Sequence, residues 1–380
     1  MKITIVLGAF FPVPPVLGGA VEKAWFALGR EFARCGHDVT FVSRAMPQFP
    51  NEEMVDGIKH LRIRGFDAPR SFVWLKVLDL IYSFRVKQSL PRPTDIVVTN
   101  TFWLPILLHG SRSGKIYVHV ARFPKGQMRL YAGAARLQAP SSAVARAIER
   151  EAPKLTGRVR VIPYPSPRST VQPISLLQRP KVILFVGRIH PEKGVHLLVQ
   201  AFADLPRDVA CEWSLSIVGP AEANLGGGGR DYRVQLERIA ARATGTVVFP
   251  GPVFDANALE RHFLSAQLFV YPSLADRGES FGLAPLEAMA HGCAVIVSGL
   301  ECFADFIRDG ETGFVFDHHA PNPAAALREK IEHAVVDPKL LGRVAENGCH
   351  KSADYSIDRV AGQFLHDFSS IIAEPDVRDR

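Results

Sequence analysis

The stretch RGESFGLAPLEAMAHG, residues 277–292, sets two carboxylates, Glu279 and Glu287, on either side of Phe281-Gly282 and a helix start expected at Pro285. The cap this implies, Ala284, has no side-chain oxygen, which leaves the first backbone N–H groups of the helix to another acceptor. Such groups suit an anion, most naturally a phosphate. A plainer reading stands beside it: Glu287, at the third helical position, supports the helix start as a capping glutamate does.

A second set is FVGRIHPEKGVHLLVQAF, residues 185–202. Gly187 ends a strand, and Arg188 and Lys193, five apart across a loop with Pro191, can converge as a positive pair. Two cations and a helix N-terminus neutralise a diphosphate without a metal ion. An ordinary solvated loop would also carry them. In GAFFPVPPVLGGAVEKAW, Gly18 and Gly19 precede a helix and let a ligand approach the backbone, or form a plain turn; the GxGxxG order of a dinucleotide site is absent. His119, in KIYVHVARFPKGQMRLY, ends an expected strand and is followed by Arg122, Lys125 and Arg129. A lone histidine is commonly structural; the carboxyl end of a strand is where a functional one would stand.

The elements that must hold these residues alternate. ITIVLG, a helix over VEKAWFALGREFARCGH and DVTFVS make a βαβ unit, with Val21, Trp25, Leu28 and Phe32 on one buried helix face and Gly36 as a left-handed stop. DIVVTN (95–100), KIYVHV (115–120) and RVRVIP (158–163) continue the pattern. It restarts with KVILFVG (181–187), WSLSIVG (213–219), TVVFPG (246–251), LFVYPS (268–273), AVIVSG (294–299) and GFVF (313–316). The expectation is an α/β protein of two doubly wound parallel sheets facing across a cleft, with the chemistry in loops after the strands. Residues 1–165 form the first domain, with a C-terminal helix of about 358–380 returning to it. Residues 166–180, rich in Pro and Ser, form a linker, and 181–357 the second domain.

A chain of 380 residues with 47% hydrophobic and 22% charged residues reads as soluble and globular. Five scattered cysteines without a CxxC pair argue for a reducing compartment and against a disulfide frame or a zinc cluster. The apolar N-terminus is broken by Pro12, Pro14, Pro15 and Gly18-Gly19, which excludes a spanning helix there and leaves a cytoplasmic expectation. Residues 1–170 hold 25 Lys and Arg against 11 Asp and Glu, while residues 171–380 hold 20 against 27. The basic half suits an anionic membrane, an acidic acceptor or nucleic acid. Within it, Trp74, Leu75, Leu78, Ile81 and Phe84 form an apolar stripe flanked by Arg70, Lys76, Arg85 and Lys87. That stripe is either a peripheral membrane-docking face or a core helix with a solvated basic side.

Taken together these residues resemble the retaining GT-B glycosyltransferases of family four, also called glycosyltransferase group one. The resemblance rests on Glu279-SFGLAPL-Glu287 followed by AMAHGCAVI, on VGRIHPEKG, on GGAVE and on the strand-end His119, in the family's order. It implies that Arg188 and Lys193 bind the donor diphosphate as it leaves, and that Glu279 contacts donor-sugar hydroxyls and Glu287 the ribose. It implies further that N–H groups near Phe281, Gly282 and Leu283 meet the phosphates, with Gly19 approaching them. His119 then sits beside the transferred sugar, and the base lies near Gly251-Pro252-Val253. No cofactor or metal is expected. The chain departs from the family pattern at Cys293 and at Tyr164-Pro165-Ser166.

The expected activity is retaining transfer of a sugar from a UDP- or GDP-sugar to a hydroxyl of a saccharide or lipid-linked acceptor, in lipopolysaccharide, exopolysaccharide or glycolipid assembly. Alternatives are a nucleotide-sugar epimerase or hydrolase, and a catalytically silent carbohydrate-binding or assembly protein. Nucleic acid is not an expected partner, because nothing in that reading uses the glutamates.

Overall fold

The computed structural model describes residues 1–69, 71–110, 113–166 and 175–374, which divide into two compact units. The first comprises Met1–Pro165 and Ile357–Arg380, the second Ser166–Ser356. Of the expected linker, residues 167–174 lie outside the described residues.

The first unit is built on an eight-stranded sheet: β1 (Lys2–Val6), β2 (Asp38–Arg44), β3 (Glu52–Val55), β4 (Ile58–Ile63), β5 (Ile96–Thr99), β6 (Lys115–His119), β7 (Arg136–Ala139) and β8 (Val159–Val161). The order is β3-β4-β2-β1-β5-β6-β7-β8, parallel throughout except for the β3–β4 hairpin. The second unit holds β9 (Val182–Val186), β10 (Ser214–Val218), β11 (Val247–Gly251), β12 (Leu268–Tyr271), β13 (Ala294–Ser298) and β14 (Phe314–Phe316), all parallel, in the order β11-β10-β9-β12-β13-β14. Strands such as LFVY and AVIVS are apolar throughout because parallel strands are covered on both faces. In each sheet the order reverses beside the unit's first strand, at β1/β5 and at β9/β12, and ligands of open α/β sheets bind outside such points.

Two strands carry no clear apolar signal. β3 (EEMV) is a largely exposed edge, and β7 (RLQA) alternates Arg136 and Gln138 with Leu137 and Ala139, yet all four are buried. The polar pair is tolerated inside because each side chain is satisfied. Arg136 Nε lies 3.0 Å from Asp367 Oδ1, and the Gln138 amide donates to the carbonyl of Ile162.

Helix Ala20–Arg34 buries Trp25, Leu28 and Phe32, with Val21 only half-buried, and ends at the left-handed Gly36. Helix Ile357–Ala373 joins the same core. Phe364 lies 5.0 Å from Trp25 and Phe368 5.8 Å from Phe32, ring to ring, and Tyr117 donates to Asp367 at 2.9 Å.

The basic helix runs Phe72–Ser89, and its core-facing residues are Asp79, Tyr82, Ser83 and Val86. Of the expected apolar stripe, Trp74, Ile81 and Phe84 are exposed and Leu75 and Leu78 half-buried, so the stripe is not the core face. Asp79 decides the orientation by accepting from the N–H groups of Phe102 and Trp103 at 3.1 and 3.2 Å. Burial raises its carboxyl to about 6 against those hydrogen bonds. Lys76 lies over the Phe102 ring, Arg85 donates to the Arg64 carbonyl and Lys87 to that of Leu107; Arg70 lies outside the described residues. No described helix is long and apolar enough to cross a membrane.

Candidate functional site

The loops after β9 and β12 meet at the reversal point of the second sheet. After β9 the chain makes a short 3-10 turn, Pro191–Lys193, closed by Gly194 at φ +65°. A Cβ at Gly194 would stand 1.9 Å from the Pro272 carbonyl oxygen, so glycine is required both for the backbone angle and for the approach to the loop after β12. Leu274 N–H donates to the Glu192 carbonyl at 2.8 Å and joins the same two loops.

This junction brings Lys193 to Glu279, 86 residues later in the chain, with Nζ 2.7 Å from Oε2 and the two side chains only 10% and 13% exposed. Tyr271, at the end of β12, donates to the same carboxylate oxygen at 3.1 Å, while Lys193 Nζ lies 5.5 Å from its ring centroid. Burial, then the Glu279 charge, pushes the Tyr271 phenol well above its ordinary range, so it acts as a neutral donor; Arg188 opposes that shift. The ring is fixed by stacking on Phe185 at 5.7 Å.

Arg188 is held differently. Its guanidinium donates to the Gly226 carbonyl at 2.8 Å and to Glu192 at 2.5 Å, with Arg188 and Glu192 44% and 40% exposed. An ion pair this exposed is screened and exchanged at little cost. Each expected cation thus has a carboxylate partner, but only the Lys193 pair is secluded. An ammonium has three donors, so Lys193 can keep Glu279 and still meet an anion.

Helix Leu283–Ala290 begins two residues before the expected Pro285, which occupies its third position. Its cap is Gly282, at φ +96° and packed where a Cβ would strike the Phe303 ring at 2.4 Å. Gly282 offers no side-chain acceptor to the first N–H groups, as expected of a different cap. Glu287 falls at the fifth position, two residues beyond the third, where a capping glutamate stands, so it does not occupy the capping-box position. It is half-buried, and its carbonyl is 2.7 Å from His291 Nδ1. Phe281 is fully buried against Phe306 and Tyr355, which makes it a packing anchor for the turn.

At the ends of β9, β10 and β11 lies a cavity of about 160 Å³, bordered by Gly187, Arg188, Gly219, Val253, Phe254 and Leu259. Its wall is largely apolar and backbone, and Arg188 joins it to the loop junction. A larger hollow of about 530 Å³ in the first unit, between β7, β8 and helix Ile357–Ala373, is lined by Arg136, Arg160, Asp367 and Glu374. These charges pair with one another, and none of the expected site residues borders it.

In the first unit His119 ends β6, fully buried. The Gln138 amide nitrogen donates to Ile162, so its oxygen must accept, and it accepts from His119 Nδ1. Nε2 is therefore the bare nitrogen, and it receives the Tyr164 hydroxyl at 2.8 Å. Burial lowers the imidazole to about 4 against the Gln138 hydrogen bond, and the ring is neutral. Trp25 meets it edge-on at 5.4 Å. Gly18 and Gly19 both have positive φ. The Glu22 carboxylate folds back over Gly19, with Oε2 2.1 Å from where a Cβ would be, and burial raises its pKa. The phosphate approach expected at Gly19 is thus covered by Glu22.

Sequence reasoning missed Tyr271, Gln138, Tyr164 as a partner of His119, and Glu22 as the group over Gly19. Tyr164 stands where the family pattern is broken, which was the one available signal.

Residues 169–351 match the family described as glycosyl transferases group 1. Over 190 residues the chain is 31% identical to the lipopolysaccharide core biosynthesis mannosyltransferase LpcC of Rhizobium leguminosarum bv. viciae, covering 50% of each chain. It spans about half the length of the curated relatives it matches. Among solved structures it is similar to sucrose-phosphate synthase of Thermosynechococcus elongatus, with a TM-score of 0.79 and 20% identity over 98% of this chain and 100% of that one. It is also similar to Anabaena HepE in complex with UDP and glucose, with a TM-score of 0.69 and 18% identity over 97% and 100%. These structural likenesses concern the fold, two parallel-sheet α/β domains of the GT-B type.

Proposed function

We propose, from the match of residues 169–351 to the group 1 glycosyl transferases and from the GT-B fold, retaining transfer of a sugar from a nucleoside diphosphate donor to an acceptor hydroxyl. The observation that carries the reading is the secluded Lys193–Glu279 pair at the β9/β12 reversal point, with exposed Arg188 beside it. The leaving group is a nucleoside diphosphate, whose growing charge must be met by fixed donors. Arg188 exchanges Glu192 for phosphate oxygen, Lys193 donates while held by Glu279, and the N–H groups after Gly282 add the helix N-terminus. Those charges suffice without a divalent ion at the diphosphate.

Glu279, fixed by Lys193 and Tyr271, takes hydroxyls of the transferred sugar, and Glu287 takes the ribose. The base, uracil or guanine, enters the cavity beside Val253, whose apolar and backbone wall suits a flat ring. For the first unit the reading assigns the neutral His119 to a sugar hydroxyl once the Tyr164 hydroxyl releases Nε2, and Gly18 and Gly19 to phosphate once Glu22 moves. In retention the acceptor attacks from the face that the diphosphate leaves, and a phosphate oxygen takes the acceptor's proton.

The acceptor proposed is a saccharide or lipid-linked saccharide of lipopolysaccharide or glycolipid assembly, met at an anionic membrane surface. Supporting this are the positive first half and the exposed Phe72, Val73, Trp74, Val77, Ile81 and Phe84 on one helix.

Calorimetric titration with UDP and with GDP, on the native chain and on Arg188→Ala, tests the reading. One nucleotide binds, and the variant weakens it by at least tenfold; kcat with the matching sugar nucleotide falls by about 10²–10³. A folded chain that binds neither would instead support the silent carbohydrate-binding alternative.

A further inference from the structure

A second cluster in the same unit serves no part of that reaction. We propose that Asp276, His318 and His319 bind a divalent transition-metal ion of the zinc, cobalt or nickel kind. Asp276 Oδ1 lies 3.1 Å from His318 Nε2 and 3.7 Å from His319 Nε2, and all three ligand atoms fall within 4.8 Å of one another. A tetrahedral ion with bonds of about 2.0 Å sets its ligand atoms roughly 3.3 Å apart. Two of the three separations are close to that, and rotation of His319 closes the third.

The burial pattern suits a site with one fixed and two adjustable ligands. His318 is anchored, with a side chain 4% exposed, whereas Asp276 and His319 are 58% and 69% exposed. The two imidazoles lie 3.9 Å apart between centroids, with the nearer nitrogen of each aimed at the same carboxylate. Solvent reaches the open side, which leaves positions for water. Two nitrogens and one carboxylate oxygen favour borderline ions over magnesium or calcium, which take oxygen ligands.

One atom limits the affinity. His318 Nδ1 is buried and has no hydrogen-bond partner among the described residues. When Nε2 binds an ion, the neutral ring carries its proton on Nδ1, and most metal-bound histidines donate that proton to an acceptor. The missing acceptor weakens binding by about 10–100-fold relative to a site that has one.

The site ties together two loops. Asp276 belongs to the turn in which the N–H groups of Gly278 and Glu279 both donate to the Ala275 carbonyl, and this turn carries Glu279 to Lys193. His318 and His319 follow β14. A bound ion pins the Glu279 turn from outside and takes no part in the chemistry at the diphosphate.

The test is titration of the untagged, chelator-stripped full chain with CoCl₂ and ZnCl₂, by calorimetry and by the visible absorption of cobalt. One ion binds per chain, and Asp276→Asn and His319→Ala, both at exposed positions, each weaken it at least tenfold while leaving the circular dichroism unchanged. Binding that survives in both variants lies on other groups, such as the exposed Cys35 and Cys211, and overturns the proposal. Failure of either ion to bind at about 1 mM overturns it as well. No nucleotide enters the titration, so its failure is distinct from failure of the transferase reading.

Discussion

Replacing Lys193 by methionine separates the two tasks of the Lys193–Glu279 pair. The substitution keeps the length of the apolar stem and removes the charge, leaving Glu279, 13% exposed, with only the Tyr271 hydroxyl at 3.1 Å. Breaking a fully buried ion pair costs about 3–5 kcal/mol, because the remaining charge is uncompensated. Here the residual exposure and the Tyr271 hydrogen bond reduce the cost to about 2–3 kcal/mol. Lys193→Met/Glu279→Gln removes both charges and returns most of that, for a net cost of about 0–1 kcal/mol. In urea unfolding followed by circular dichroism, the single variant therefore shifts the second unit's midpoint down by roughly 1 M, and the double variant by much less. Nucleotide binding behaves oppositely: the single variant loses at least tenfold in affinity for the nucleotide that binds, and the double variant does not regain it, since the cation is still missing. Additivity of Lys193→Met and Glu279→Gln within about 0.5 kcal/mol would refute the reasoning, because the pair would then be a screened surface contact.

Gly194→Ala forces a left-handed alanine and a Cβ into the Pro272 carbonyl at 1.9 Å; it destabilises the second unit by at least about 2 kcal/mol and weakens nucleotide binding, and a melting temperature equal to the parent's would sink this account of the loop junction. His119 is held at about 4, below the 6.5 of an ordinary imidazole, so the native state refuses a proton that the unfolded chain accepts. Its contribution to stability is complete above pH 6.5 and lost as the pH falls toward 4, amounting to about 3 kcal/mol; by NMR its ring does not titrate above pH 5, and a midpoint near 6.5 would contradict the burial argument. Trp74→Ser/Phe84→Ser lowers co-sedimentation with phosphatidylglycerol-containing vesicles by at least tenfold, given about 1.5–3 kcal/mol for each large apolar side chain buried; unchanged co-sedimentation would remove the helix from the membrane reading.

Periodicity and composition alone determined all six strands of the second sheet, since a strand covered on two faces is apolar along most of its length, as in LFVY and AVIVS; in the first sheet they determined β1, β2, β5, β6 and β8 and missed the parallel β4 (IKHLRI) and β7 (RLQA). They also marked the loops after β9 and β12, where Arg188, Lys193 and Glu279 stand among glycines and prolines. Only the tertiary structure decided what local pattern cannot encode. Arg136 and Gln138 belong to a buried strand because Asp367 and the Ile162 carbonyl, far along the chain, satisfy them. The helix Phe72–Ser89 turns its apolar stripe outward because Asp79 finds two backbone donors inward. Helix Leu283–Ala290 starts directly after its cap Gly282, before Pro285, because the left-handed turn packs against Phe303. Lys193 pairs with Glu279 across 86 residues, and Glu22 rather than solvent covers Gly19. Each of these turns on where a charge or a backbone group finds its partner, a condition of distance in space that spacing along the chain does not carry.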